Sequence, residues 1–312
     1  MRALTDAEQL RLYQVFFNNY VETGRQWIKI FELCQMAPQS IEGKIVLWVR
    51  DWLNYLDGIS ILCSQGNTYA AKILLRSCWE IYIQFKFFLV DLDQQVIYDK
   101  ILCIELIEMY KSISLQSRYY QELVKKGEMK EAARLKQYLA KYQEIYTQNK
   151  FLNKDRGERY KNFYQKSLKG RRNYKWYGLY LAVNKQGRAN SINALSKRLY
   201  SLQGGSLGDI NELIYGMLSS QAHGSLSRNG YYRDGELYRL LPFRNLRGVG
   251  MIATCIQVMF EDMWATMENY FQGSVEVKNQ LVLDLIATQK VLVKEFNGWD
   301  EEVTCSKVKA ST

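Results

Sequence analysis

The scarcity of proline is the feature that most constrains the fold of this chain. Only two prolines, Pro38 and Pro242, occur in 312 residues. Because proline is the strongest helix breaker, long helices can run through almost the whole sequence. Apolar residues recur with helical spacing over residues 5–36, 40–63, 69–89 and 244–271. We therefore predict an all-α protein, a multi-helix bundle.

Positive charge is concentrated in the middle of the chain. Residues 118–198 contain 21 Lys or Arg against 6 Asp or Glu, a net charge of +15, although the whole chain carries only +10. Aromatic residues are interleaved with these cations, which suits the phosphates and exposed bases of a nucleic acid such as RNA. A solvated basic surface explains the same charge equally well. We interpret residues 169–178 as a loop. Most of the predicted nucleic-acid contacts lie in it, namely Lys169, Arg171, Arg172, Lys175 and Trp176.

These patterns divide the chain into four segments. Residues 1–117 are predicted to form the N-terminal helices of the core bundle. Residues 118–200 are predicted to form a basic, aromatic-rich helical insertion that starts with an exposed hairpin bending near Gly127. Residues 201–299 are predicted to complete the core, with a polar linker at 225–242, and residues 300–312 to form a flexible tail.

Several classes of site are disfavoured. The single histidine, His223, excludes a multi-histidine metal site within one subunit. The six cysteines show no CxxC pairing, which argues against zinc, and no phosphate-binding glycine loop is present. We expect no metal and no cofactor. Since no apolar run reaches ~20 residues and the start lacks a signal-like apolar core, we predict a cytoplasmic protein without a membrane partner.

A narrow polar stripe crosses the otherwise apolar helix predicted at residues 69–89. Lys72, Arg76, Glu80 and Gln84 recur every four residues and therefore share one helical face. We predict that Arg76 and Glu80 are partly buried together. Burying such a pair costs several kcal/mol of desolvation free energy per ion. A buried pair is therefore weak evidence that it stabilises the fold. We therefore consider two interpretations of Arg76 and Glu80: a functional pair, or an ordinary ion pair within one helix.

A second polar stripe leads to the only histidine. The helix predicted over residues 209–223 carries Ser219, Ser220 and His223 along one side. A histidine at a helix C-terminus is commonly a cap, because it interacts favourably with the helix dipole. If this helix packs against the first striped helix, the two polar stripes converge on one site.

That convergence would support metal-independent RNA cleavage. His223 would act as general base toward a ribose 2′-hydroxyl, because an imidazole titrates near neutral pH. Arg76 would stabilise the charge that develops on the scissile phosphate. Glu80 would orient Arg76 or His223, and Ser219 or Ser220 would supply a further hydrogen bond.

Two short motifs resemble those of an uncharacterised bacterial family of helical proteins. They are an Arg-Ser-x-x-Glu motif at residues 76–80 and a His-Gly-Ser motif at residues 223–225. That family's layout is similar to the HEPN group, helical domains that often dimerise and include ribonucleases of toxin and antiviral systems. HEPN nucleases carry an arginine shortly before their histidine. This sequence lacks that arginine, so the resemblance assigns its role to Arg76, with Arg228 as a second candidate and a further nucleic-acid contact.

The leading hypothesis is a HEPN-like, metal-independent RNA-cleaving or RNA-binding effector of a bacterial defence or toxin system. Whether the protein is an enzyme stays open at this point. One alternative is a noncatalytic helical scaffold subunit of a larger complex. Another is a nucleotide-signal-binding protein in which Lys72 and Arg76 clamp a phosphate. The expected partners are RNA, a second copy of the chain, or another protein of the defence system.

Overall fold

The computed structural model describes residues 6–33, 40–147, 155–170, 174–203, 215–216, 231–234, 237–240 and 249–272. Most of these residues are helical, which confirms the all-α prediction. The helices are α1 (Asp6–Leu33), α2 (Ile41–Ser64), α3 (Thr68–Leu89), α4 (Gln94–Lys126), α5 (Met129–Thr147), α6 (Asp155–Lys169), α7 (Trp176–Val183), α8 (Ile192–Gln203) and α9 (Val249–Gln272). Strands β1 (Tyr231–Asp234) and β2 (Leu237–Leu240) form an antiparallel hairpin. The chain divides into two compact units, Met1–Leu89 with Gly204–Thr312, and Val90–Gln203.

The first unit is built around α2 and α3. The hydroxyl of Ser40 accepts a hydrogen bond of 2.9 Å from the Gly43 amide and so caps the start of α2. Gly66, at φ 70°, lies in the turn that leads into α3. α3 packs against both α2 and α9, and α1 against α2 and α9. Their shared core contains fully buried large side chains, among them Trp52, Leu56, Ile59, Leu75, Ile83, Phe88 and Ile256.

The second unit is organised around α4. The Asp93 carboxylate accepts hydrogen bonds from the amides of Gln95 and Val96, at 2.8 and 3.0 Å, and so caps the N-terminus of α4. α6 and α7 pack against the N-terminal half of this helix and bury three tyrosines: Tyr160, Tyr164 and Tyr177. α4 ends at Gly127, whose φ of 78° is left-handed, and α5 turns back along it. The predicted hairpin bend near Gly127 is therefore confirmed.

Three predictions about segments differ from the structure. Trp176 begins α7 rather than lying in a loop, because residues 176–183 are almost wholly apolar and pack against α4. The interval interpreted as a polar linker contains the β-hairpin, since its tyrosines favour strands. The predicted boundary between residues 117 and 118 lies inside the unbroken helix α4. The last part of the segment predicted to complete the core, residues 273–299, and the predicted tail at 300–312 lie outside the described residues.

No described helix combines the length and apolarity that a membrane crossing requires.

Gly178 marks the tightest approach in α7. A Cβ atom there would lie 2.6 Å from the Ala189 carbonyl oxygen and 3.0 Å from Asn190 Oδ1. Gly178→Ala should therefore lower the free energy of unfolding by about 2 kcal/mol, although alanine favours helix by about 1 kcal/mol. Gly58→Ala in α2 is the matched control, because its Cβ would meet only the movable end of Leu74, at 3.0 Å. Denaturant titrations of both variants would measure this. Equal stabilities would contradict the tight packing.

Candidate functional site

The polar face of α3 carries an ion pair that is open to solvent on one side. Arg76 Nε donates a hydrogen bond of 3.2 Å to Glu80 Oε1. The Arg76 side chain is 18% exposed and the Glu80 side chain 34%. One turn further on, the side-chain amide of Gln84 donates to the backbone oxygen of Glu80 at 3.2 Å. This geometry matches the predicted partly buried pair.

Tyr215 completes this cluster, although it was not among the site residues predicted from the sequence. Arg76 Nη2 donates to the Tyr215 hydroxyl at 3.3 Å, and Arg76 Cζ lies 5.4 Å from the centre of the Tyr215 ring. The guanidinium is thus held by a carboxylate and also lies over an aromatic face. The spacing could have indicated it: Tyr215 precedes Ser219 by four residues and His223 by eight, so all three share one face of the predicted helix.

The cluster is suited to holding an anion. A guanidinium presents a planar set of N–H donors that matches a phosphate or carboxylate, and Glu80 and Tyr215 fix its orientation. Arginine stays protonated in proteins, so it cannot serve as a general base. Chemistry at a ribose would therefore need a base supplied from outside this cluster, and His223 is the predicted one.

The other predicted site residues divide into two groups. Ser219, Ser220, His223, Arg228, Arg171 and Arg172 lie outside the described residues. Lys169, at the end of α6, and Lys175, at the start of α7, are exposed. Trp176 is only 8% exposed, so its ring offers little surface on which a base could stack, and the prediction for this residue does not fit its burial.

Three cysteines of the first unit are held as neutral thiols. Burial raises the pKa of Cys63 to about 12, against a smaller opposing effect of the Lys72 charge. Burial also raises the pKa of Cys78 well above its usual value and that of Cys255 to about 11. Because the thiolate is the nucleophilic form, these residues act as small apolar side chains. Among the described residues, no group of three or more metal-ligating side chains could hold a metal ion.

A second ion pair links α3 to α9. Lys86 Nζ lies 2.8 Å from the Asp262 carboxylate, which also accepts a hydrogen bond of 2.5 Å from the Tyr82 hydroxyl. Lys86 is only 8% exposed. The sequence signal was a lysine inside the apolar run Phe85–Leu89, since a cation at such a position requires an acidic partner. Sequence alone did not indicate which acid this would be.

The second unit contains a buried polar network. Tyr160 donates to Asp99 Oδ2 at 3.1 Å and accepts from the Asn184 side-chain amide at 2.8 Å. The neighbouring Lys100 is 1% exposed, and its ammonium lies 5.6 Å from the centre of the Tyr180 ring. Burial lowers the pKa of Lys100 to about 8. These contacts tie α4 to α6 and to the chain around α7.

A comparison with known protein families matches residues 44–236 to a family of unknown function (DUF5677). The matched range covers more than half of the chain. The chain belongs to this family. The DUF5677 match runs from α2 to β1 and includes every predicted site residue, from Arg76 to Arg228, whereas Asp262 lies beyond it. No curated protein and no solved structure matches the chain.

Proposed function

We propose that this protein is an RNA-binding ribonuclease that cleaves without a metal ion, with Arg76 and His223 as its catalytic pair. The observation that carries the proposal is the contact between Arg76 and Tyr215. It brings Tyr215, which lies eight residues before the only histidine in the sequence, against the polar face of α3. A half-buried arginine with an open side, beside that segment, is a suitable place for a phosphate.

The spacing of the segment after Tyr215 supports the same arrangement. Tyr215 and Gly216 are helical. The helix predicted over residues 209–223 would place Tyr215, Ser219 and His223 on one face, because they are separated by steps of four residues. Because Tyr215 contacts Arg76, such a face would lie toward α3, and the proposal puts the imidazole on the side of α3 that carries the ion pair.

Each residue then has a separate role in the reaction. His223 removes the proton from a ribose 2′-hydroxyl, and the 2′-oxygen attacks the adjacent phosphorus. Arg76 donates hydrogen bonds to the phosphate oxygens as their charge increases, and Glu80 positions Arg76. Ser219 or Ser220 supplies a further hydrogen bond. The bond to the 5′-oxygen breaks, that oxygen takes up a proton from water, and protonated His223 returns its proton to the solvent. The products are a 2′,3′-cyclic phosphate and a 5′-hydroxyl.

We extend the proposal to the biological role of the protein and to its contacts with the RNA backbone. The resemblance to HEPN ribonucleases supports an effector of a bacterial toxin or antiviral system that acts on cytoplasmic RNA. The exposed residues Lys169 and Lys175 of the basic second unit would contact the RNA backbone. Induced expression of the wild-type protein should then arrest bacterial growth, and His223→Ala should not.

Incubation of the purified protein with end-labelled RNA in excess EDTA tests the catalytic proposal. Wild-type protein should produce fragments that end in a cyclic phosphate. His223→Ala and Arg76→Ala should each lower the cleavage rate by about 100-fold or more, as expected for loss of a general base or a charge-stabilising group. Arg25→Ala is the matched control, because the ion pairs of Arg25 with Glu22 and Asp57 are exposed. Unchanged cleavage by His223→Ala would exclude His223 from the mechanism.

The Arg76→Ala variant should remain folded, so that its activity can be interpreted. Because Glu80 is 34% exposed, water can solvate its carboxylate when Arg76 is removed. We expect a loss of about 1 kcal/mol in the free energy of unfolding, well below the 3–5 kcal/mol typical of a fully buried pair. Thermal melts would check this. A loss of about 3–5 kcal/mol, as for a fully buried pair, would support the noncatalytic scaffold interpretation instead.

A further inference from the structure

Residues 159–208 form a segment of the sequence that has no acidic side chain. They contain eleven Lys or Arg and no Asp or Glu. All six acids of the basic middle region therefore precede residue 159. A long stretch of charges of one sign is typical of a surface that meets a polyanion. The structure decides which of these cations lie close enough to act together.

Arg198, on α8, lies against the loop that follows α7. A Cβ atom at Gly187 would come 3.5 Å from Arg198 Nη1, so the guanidinium lies beside the Gly187 backbone. Lys185 and Arg188 belong to the same loop, and both are exposed. We call Lys185, Arg188 and Arg198 the cationic cluster.

Backbone hydrogen bonds hold this loop in one conformation. The amides of Asn184, Lys185 and Gln186 donate to carbonyl oxygens in the last turn of α7, at 3.1, 3.3 and 2.9 Å. Lys185 has a left-handed φ of 57°, and Gly187 has one of 98°, which glycine adopts without strain. Because the loop is already ordered, little chain entropy is lost when it binds a ligand.

The fold does not account for the charges of the cationic cluster. The C-terminus of α7 attracts a cation, but Arg159 of α6 supplies one, since its Nη2 donates to the Val183 carbonyl oxygen at 2.6 Å. Arg198 is half-buried. Within the described residues it pairs with no carboxylate, and its buried Nε has no hydrogen-bond acceptor. Since a partly buried cation is normally neutralised, the cluster is suited to an anionic ligand.

The surrounding surface favours a nucleic acid backbone over an acidic protein. Every aromatic side chain between residues 174 and 203 is buried, namely Tyr174, Trp176, Tyr177, Tyr180 and Tyr200. Over the described residues 174–201, no large apolar side chain is exposed either. Protein interfaces have an apolar core, and unpaired bases stack on exposed rings. Phosphates need only cations and other hydrogen-bond donors.

We propose that the cationic cluster binds phosphates of the RNA backbone and does not read the bases. It adds Lys185, Arg188 and Arg198 to the RNA contacts at Lys169 and Lys175. The affinity that it contributes is therefore independent of base sequence. This inference rests on the proposed function for the identity of its ligand, but the cluster includes none of the catalytic residues.

Binding of 2′-O-methyl RNA to the full chain tests the proposal, because this RNA lacks the hydroxyl group that the proposed cleavage requires. Lys185→Ala combined with Arg188→Ala should raise Kd about 10-fold or more. The combination should also reduce the slope of log K against log salt by about 1.4, since each neutralised phosphate of a single strand contributes about 0.7. Arg198→Ala should reduce the slope by about 0.7.

The control combines Arg11→Ala with Arg50→Ala. It removes the same charge from exposed positions on α1 and α2, outside the segment without acids. Because Lys185 and Arg188 are exposed, their replacement should leave the melting temperature unchanged. Equal effects of the two double variants on Kd, or no effect of either, would overturn the proposal.

Two further ligands test whether the cluster recognises the RNA backbone alone. 2′-O-methyl oligouridine and oligoadenosine of equal length should bind with Kd values within about 3-fold of each other. A larger preference that is lost in the Lys185 and Arg188 double variant would show that the cluster reads bases, which would overturn the proposal. Polyglutamate that binds as tightly as RNA, and loses affinity in the same variant, would assign the cluster to acidic protein segments instead.

Cleavage of unmodified RNA separates this inference from the ribonuclease proposal. RNA affinity that depends on the cationic cluster, without any cleavage, would support the inference and refute the ribonuclease activity. Cleavage that depends on His223, with RNA affinity unchanged by the cluster variants, would do the reverse.

Discussion

Replacing Asp262 by alanine should lower the free energy of unfolding by about 3 kcal/mol. Asp262 is the carboxylate that neutralises Lys86, which is 8% exposed between α3 and α9. Its removal leaves a charged ammonium in a largely apolar environment and takes an acceptor from the Tyr82 hydroxyl. Breaking a buried ion pair in this way costs about 3–5 kcal/mol. We expect a loss at the lower end of this range, because the Asp262 side chain is 34% exposed.

The control for Asp262→Ala is an exposed acid in the same unit. Asp57 pairs with Arg25 at 3.7 Å, with side-chain exposures of 44% and 59%. Asp57→Ala should therefore cost less than about 1 kcal/mol. Combining Asp262→Ala with Lys86→Met should recover much of the loss, since no charge then remains buried. Denaturant titrations of all four proteins give these differences. Equal effects of Asp262→Ala and Asp57→Ala would show that Lys86 is solvated.

Lys100→Met should stabilise the protein at neutral pH by about 3 kcal/mol. Lys100 is 1% exposed, and burial lowers its pKa from 10.5 to about 8, while the Asp91 charge acts in the opposite direction. At pH 7 the folded protein therefore carries a cation that is poorly solvated. Methionine fills a similar volume without that charge, and a shift of this size corresponds to about 3 kcal/mol.

The pH dependence separates this electrostatic effect from a packing effect. Between about pH 8 and 10.5, Lys100 is neutral in the folded protein but still protonated in the unfolded chain. The unfolded chain then binds more protons, so wild-type stability increases with pH relative to Lys100→Met. The advantage of the variant should be largest below pH 8 and vanish near pH 10.5. Stability profiles that stay parallel across this window would show that the Lys100 pKa is not lowered.

Local patterns predicted the helices and one half of the candidate site. Four-residue spacing placed Arg76 and Glu80 on one face of α3, and their ion pair closes within a single helical turn. The bend at Gly127 was equally local, because a glycine with left-handed φ ends a helix without help from distant residues. The interpretation of residues 169–178 as a loop failed at Trp176, since basic residues around an apolar run concealed the buried helix α7.

The sequence by itself determined that the chain is helical, that its positive charge lies in the middle, and that Arg76 and Glu80 are neighbours. These properties depend on composition and on contacts between residues a few positions apart. Only the tertiary structure decided that Arg76 meets Tyr215, that Lys86 is neutralised by Asp262, and that Lys100 is buried. The physical reason is that a long-range partner is selected by the packing of whole helices, and many acids and tyrosines in the chain could have served equally well until that packing was known.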